Sequence, residues 1–468
     1  MERRLRLLFV TPYLPRRGVS AAREHWWSLL GRLARRHDIA LLSIADPDEI
    51  GTPGLVPPGL QSVQLVQRRA WRPDDPLALM PRTVAGGYSD PAVAAAIAAA
   101  TVAREYDVVQ YELIEMAQLM ARPVGPTILG VHQVPFAGEG TLWRAEGRPL
   151  RRGAVLLHRY LRELDFDLRA VGRAHHVICV SAEDKRRLRR FHPTLPVSVS
   201  PLGIDCAFFA PCDPPPSRRG EEDSADIAFV GNFEHPPNAD AVAFLADQVV
   251  PRLGRRVRVR IIGRGVTPEV AALAGDGIEV LGAVPDVRPH LAAARVVVAP
   301  VRFGTGMRGK ILEALAMARP VVTTPVGAEG LGAVSGVHLL VAREAGDFAA
   351  AVRSVLDDPA RGRALGREGR ALVTARFDWD TVAAAHEAVY EELLRAPLVT
   401  PVWRPDPMAA RGSRIARLGR RTAIAVGCSV LLYRGLRWHL SKQRRAGGAP
   451  LSRIAAGTGR IPAGVSRS

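Results

Sequence analysis

Short β-branched runs separated by helical stretches recur along this chain in two series, with one proline-rich break between them. In the first series the strand candidates are Leu5–Val10, Ile39–Ser43, Val63–Gln67, Val108–Tyr111, Thr127–Gly130, Val177–Val180 and Val197–Ser200. Helical patterns such as Glu24–Arg36 and Pro91–Arg104 lie between them. Brief, nearly all-apolar runs suit strands buried on both faces, and parallel strands need crossovers long enough to hold a helix. The pattern therefore predicts an α/β fold with a parallel sheet flanked by helices. Residues 211–225, PCDPPPSRRGEEDSA, lack periodicity and read as a linker. The second series then begins, with strands expected at Ile227–Val230, Val257–Ile262, Ile278–Leu281, Val296–Ala299, Val321–Thr323 and His338–Val341. Helices are expected at Ala239–Val249, after Lys310 and at Ala345–Asp357. Residues 378–397 add an amphipathic helix, with Val382, Ala385, Val389 and Leu393 near helical spacing. The expected organisation is two Rossmann-like domains, 1–210 and 226–377, then the 378–397 helix and a tail over 398–468. Pattern alone does not give the order of the strands.

One stretch in the second series carries chemistry. GTGMRGKILEALA, residues 304–316, sits between a buried strand and a helix ending before Pro320. Gly304, Gly306 and Gly309 let the backbone turn sharply and approach a ligand closely. The first amides of the helix have no internal partner, and the helix dipole adds positive potential there. Arg308 and Lys310 place cations at that same end, where they disfavour the helix unless an anion balances them. Glu313 lies a turn further on, within reach of sugar hydroxyls. Glycine-rich turns are common in α/β proteins, so spacing alone is a weak signal. It gains weight from Gly231 and Asn232 after the first strand of the second series, and from Gly263 and Arg264 after the next. Ligands of open parallel sheets lie beyond the carboxyl ends of strands, where these loops would meet.

Charge and composition narrow the classes. The formal net charge is +18, but residues 401–468 hold 14 Lys and Arg against one Asp, a net of 14 − 1 = +13. The rest carries 18 − 13 = +5 and is ordinary for a globular protein. The tail has few aromatics among its cations, which argues against nucleic-acid binding. Cysteines at 179, 206, 212 and 428 have no metal-ligand spacing and suit a reduced, cytoplasmic compartment. No run of 18 apolar residues is present, and the basic start followed by LLFVTP reads as a first strand rather than a leader.

Several stretches resemble the retaining glycosyltransferases of family 4, which have the GT-B fold of two Rossmann-like domains facing a cleft. The similarity spans roughly residues 5–395. It is carried by LLFVTPYLP at 7–15, VSPLGID at 199–205, VGNFEHPPNADAVAFL at 230–245 and FDWD at 377–380. The most specific stretch is GTGMRGKILEALAMARPVVTTPVGAEGL at 304–331, similar to a subgroup acting in polysaccharide and exopolysaccharide assembly. The resemblance implies transfer of a sugar from a nucleotide-diphosphate donor to a saccharide or lipid-linked acceptor, with retention. By position, Lys310 and Arg308 would neutralise the diphosphate, and Glu313 would bind ribose as the second glutamate of the EX7E pattern. Gly231, Asn232, Arg264, Gly304, Thr305, Gly306 and Met307 would line the donor site. His132, in GVHQVPF, matches a histidine that contacts the donor sugar. Gly18 is a weaker carry-over, because the loop after the first strand lacks the usual glycine pair. The sequence departs from EX7E at Thr305, where the first glutamate would stand. Glu112 reads as a solvated loop acid. If the fixed cations suffice to stabilise the leaving group, no metal or other cofactor is needed, the nucleotide sugar being a co-substrate.

Residues 414–445 lie outside the resemblance and hold an apolar run, Ala423 to Tyr433, between basic clusters. A helix lying in an anionic membrane surface, at the inner face of the membrane, would use both features. A solvated tail is the plainer reading. The alternatives to a glycosyltransferase are a GT-B-type nucleotide-sugar epimerase or hydrolase, or a non-catalytic membrane-surface binding protein.

Overall fold

The computed structural model describes residues 3–17, 21–52, 54–68, 91–103, 106–120, 125–134, 150–212, 225–254, 256–304 and 306–395. Gly18, Thr305, Cys428, most of the proline-rich break and the basic segment 414–445 lie outside the described residues.

The first strand, β1 (Arg6–Thr11), is buried from Leu7 to Thr11 and takes an interior place in a sheet. Around it lie β2 (Asp38–Ala45), β3 (Ser62–Gln67), β4 (Val108–Glu112), β5 (Thr127–Val131), β6 (His176–Cys179) and β7 (Val197–Val199). Among the described residues these seven form one sheet in the order β3-β2-β1-β4-β5-β6-β7, every neighbouring pair parallel. Helices α1 (Ala21–Leu33), α2 (Pro91–Ala103), α3 (Leu150–Val171) and α4 (Ala182–Phe191) supply crossovers.

The second sheet contains β8 (Ala225–Val230), β9 (Val259–Ile262), β10 (Ile278–Gly282), β11 (Ala294–Ala299), β12 (Val321–Thr323) and β13 (Leu340–Val341). Its order among the described residues is β10-β9-β8-β11-β12-β13, again parallel throughout. The helices here are α5 (Pro236–Phe244), α6 (Pro268–Ala271), α7 (Arg288–Ala293), α8 (Gly309–Ala316), α9 (Ala345–Asp357) and α10 (Pro359–Phe377). In each sheet the order reverses beside the first strand, between β1 and β4 and between β8 and β11. A doubly wound sheet opens its crevice at such a reversal.

Each expected strand coincides with an observed one, its ends shifted by at most two residues. Helices differ more. The one expected at Ala239 begins at Pro236, because two prolines fit the first turn, where amide hydrogens have no partner to lose. The long α10 was not anticipated, since three glycines interrupt its pattern. Two of these glycines face the preceding layer. A β-carbon at Gly366 would lie 2.0 Å from the Ala318 carbonyl oxygen, and one at Gly369 2.6 Å from Leu315 Cδ2. They cost helix propensity and permit close packing of α10 on α8.

The last described helix, α11 (Trp379–Arg395), returns to the first sheet. Trp379, Val382, Ala383, Val389, Tyr390 and Leu393 share one apolar cluster with Leu5, Leu7, Phe9, Leu29 and Leu30. Burying each large side chain of this kind contributes roughly 1.5–3 kcal/mol. Gly203 makes room for it, as a β-carbon there would lie 2.3 Å from the Trp379 ring. The two connections between the domains meet at this point, with Ile204 N donating to Phe377 O at 2.8 Å.

Candidate functional site

Three loops converge at the carboxyl edge of the second sheet. The loop after β8 starts at Gly231, and the loop after β9 starts at Gly263, whose φ is +149°. A β-carbon on Gly263 would sit 1.6 Å from the Gly231 carbonyl oxygen, so only glycine lets these loops touch. The Phe233 amide donates to the Arg264 carbonyl at 2.9 Å, while the Arg264 side chain is exposed. The third loop follows β11 and leads into α8, with Gly304 at φ +101° and Gly306 at φ +85°.

Lys310 stands in the first turn of α8 and reaches across to the end of β8 and the start of α5. Its Nζ donates to Asn238 Oδ1 at 2.7 Å and lies 4.2 Å from the centre of the Phe229 ring. Asn238 Nδ2 in turn donates to the Asn232 carbonyl at 2.7 Å. A β-carbon on Gly231 would lie 3.0 Å from Lys310 Nζ, so this glycine leaves the ammonium its space. Burial, and then the neighbouring Arg308 guanidinium, push the Lys310 ammonium down to about 7, with Glu313 pulling the other way. Burial also lowers Arg308, against the pull of Glu329. Glu313 is raised by burial, partly offset by Lys310, and raised further by Glu24 of α1. His235, at the start of α5, is lowered by partial burial and then by Arg308 and Lys310. A pocket that depresses its own cations favours an anion that would restore them.

Arg308, Lys310, Gly231 and Asn232 are thus brought together as expected, with Glu313 on the same helix. Met307 is different. Its side chain is buried in an apolar cluster with Val180 and Ile311 rather than turned to the anion site. Asn238, His235 and Phe229 belong to the site and escaped the sequence reading, although Asn238 and His235 lie within the quoted stretch 230–245.

The first domain contributes His132, just past β5. The two domains meet here, since a β-carbon on Gly306 would lie 3.5 Å from the His132 carbonyl oxygen. His132 Nε2 is 2.8 Å from Glu112 Oε2. Glu112 is not a solvated loop acid. It closes β4, is 1% exposed, and accepts hydrogen bonds from Trp26 Nε1 at 3.0 Å and Gln110 Nε2 at 2.5 Å. Burial raises its pKa, but hydrogen bonds from His132 and Gln110 and the charges of His132 and His386 outweigh this and leave it lowered. A second link across the domains is Arg187 of α4, which bonds Asp184 at 2.9 Å and also contacts Glu329.

Two doubly wound domains, with a cationic pocket in one facing a histidine loop in the other, define the GT-B architecture. Residues 22–208 match the Glycosyltransferase Family 4 domain, and residues 224–358 match the domain described as Glycosyl transferases group 1. The two matches, one in each domain, support a GT-B glycosyltransferase of family 4 type. D-inositol 3-phosphate glycosyltransferase of Geodermatophilus obscurus is 30% identical over 286 residues, 53% of this chain and 61% of that relative. The chain therefore spans less than two thirds of that relative's length. Sucrose-phosphate synthase (tll1590) of Thermosynechococcus elongatus shares the fold with a TM-score of 0.63 at 18% identity, over 84% of this chain and 100% of that one. Anabaena Alr3699/HepE in complex with UDP and glucose shares it with a TM-score of 0.58 at 15% identity, over 83% and 100%.

Proposed function

We propose that this chain transfers a sugar from a nucleoside-diphosphate donor to a saccharide or lipid-linked acceptor, with retention at the anomeric carbon. The observation that carries the reading is the meeting of Lys310, Arg308 and the amino end of α8 at the reversal point of the second sheet. The leaving group of such a reaction is a diphosphate, and negative charge grows on it as the glycosidic bond stretches. Fixed cations and helix amides stabilise that charge more in the transition state than in the ground state. Glu313 would accept from ribose hydroxyls, and His132 would contact the sugar from the opposite domain. Gly304, Gly306, Gly231, Asn232 and Arg264 would shape the pocket. Support for the donor class comes from the two domain matches and from the nucleotide and glucose named with the Anabaena relative. Support for retention is the family 4 match.

The test is calorimetric titration with UDP, GDP and ADP, followed by incubation with a panel of nucleotide sugars and saccharide acceptors. Binding of one nucleotide and formation of a product with the donor's anomeric configuration are expected. Inversion would sink retention, and release of free sugar regardless of acceptor would favour a hydrolase. Absence of nucleotide binding at millimolar concentration would sink the whole reading. The basic segment 414–445 is proposed to rest on anionic lipid. Removal of residues 401–468 should then abolish sedimentation with phosphatidylglycerol vesicles and leave nucleotide affinity unchanged.

A further inference from the structure

A chain of buried polar groups runs from the crossover helix to the histidine that faces the second domain. Tyr390 Oη, on α11, donates to Gln110 Oε1 at 2.7 Å. Gln110 Nε2 donates to Glu112 Oε1 at 2.5 Å. Glu112 Oε2 then meets both Trp26 Nε1 at 3.0 Å and His132 Nε2 at 2.8 Å. Tyr390, Trp26, Gln110 and Glu112 are each at most 1% exposed. The chain is directional. The tyrosine hydroxyl turned to the Gln110 carbonyl orients that amide, so its NH2 end is presented to the carboxylate. An indole nitrogen can only donate, and an ionised carboxylate can only accept.

Trp26 Nε1 also lies 3.2 Å from His132 Nε2. A bare Nε2 would compete with the carboxylate for the indole proton and repel it at short range. A protonated Nε2 removes the conflict, with both nitrogens donating to Glu112 Oε2. Gly130, beside this carboxylate on β5, is part of the arrangement. A β-carbon there would lie 2.4 Å from Oε2.

We propose that Glu112 is the positioning residue of His132, keeping a proton on Nε2 so that, whenever the ring carries a single proton, Nδ1 is the nitrogen offered as an acceptor. A hydroxyl of the donor sugar would then donate to His132 rather than accept from it. This last consequence rests on the donor-site reading of His132, whereas the tautomer itself does not.

The experiment is histidine-selective 15N spectroscopy of the full chain at pH 7.5. The twelve histidines are resolved by their two-bond proton–nitrogen patterns, and His132→Gln identifies the resonance concerned. The Nε2-protonated pattern is expected for His132, replaced by an averaged or Nδ1-protonated pattern in Glu112→Met, which keeps volume and removes the acceptor. An Nδ1-protonated His132 in the wild type overturns the proposal without any variant. A pattern unchanged by Glu112→Met overturns it as well. With a nucleotide sugar that the chain turns over, Glu112→Met should lower kcat about tenfold and leave KM within about twofold. If the tautomer changes while Glu112→Met and His132→Ala both turn over donor normally, the positioning role stands. The donor-site reading of His132 is then what falls.

Discussion

Lys310 Nζ and Asn238 Oδ1 are 2.7 Å apart, and this bond ties the helix after β11 to the first turn of α5, the helix after β8. It holds the ammonium over the Phe229 ring, at the junction where an anion would meet both loops. The lysine is thereby placed in advance, with little side-chain freedom left to lose on binding.

Lys310→Met should therefore weaken UDP binding by more than about tenfold, through loss of a charge-assisted contact. In the wild type, free Lys310 titrates near 7. Its charge is present below that pH and fades above it, so UDP affinity should fall between pH 7 and 9. The variant should lack this dependence. A calorimetric pH series checks both, and a flat wild-type profile would contradict the assignment.

The same group has a stability signature of opposite sense. Unfolded, the amine has a pKa of 10.5, and folding lowers it to about 7. The burial penalty on the cation is thus full below pH 7 and is relieved as pH rises towards 10.5. Lys310→Met should not lower the melting temperature at pH 7. A clear drop there would mean that the lysine serves mainly as a structural strut.

Glu313→Gln should raise the donor KM several-fold and change kcat little, because ribose contacts are made equally in ground and transition states. Steady-state kinetics with the donor found by panel screening measures this. A fall in kcat at constant KM would move Glu313 to the reacting bond.

Gly130→Ala should destabilise the protein by about 1–3 kcal/mol, since the added methyl collides with the Glu112 carboxylate. Chemical denaturation gives the number. Glu112→Ala introduced into that variant should recover part of the loss, and a lack of recovery would place the clash elsewhere.

Acid should be damaging in a specific window. Burial holds His386 down to about 4, against an ordinary 6.5 for histidine. Its neutral form contributes stability above pH 6.5 that is lost as pH falls from 6.5 to 4. His25, also buried, is lowered well below the ordinary value for the same first reason. His386→Gln should flatten the melting-temperature profile over that range.

The two sheets were legible in the sequence because buried parallel strands are nearly all apolar, so runs such as RLLFVT and ARVVVA stand out. The glycine loop was legible too, since Gly304 and Gly306 carry a backbone demand that survives in one dimension. What depends on packing was not. Gly362, Gly366 and Gly369 hid α10, because their value lies in the segments packed against them. Glu112 looked like a surface acid, since its partners come from positions 26, 110 and 132. Asn238 drew no notice because a lone asparagine after two prolines means nothing until a lysine 72 positions later is beside it.

The helix α11 closes the core of the first domain with residues from near position 390. During synthesis the amino-terminal sheet must therefore leave the ribosome with the face around Leu5, Leu7 and Leu30 uncovered. It stays so until α11, which follows the whole second sheet, has been translated. A nascent or truncated chain ending in the 211–225 break would expose that face and invite chaperones or aggregation. The first domain is thus finished only after the second has been made.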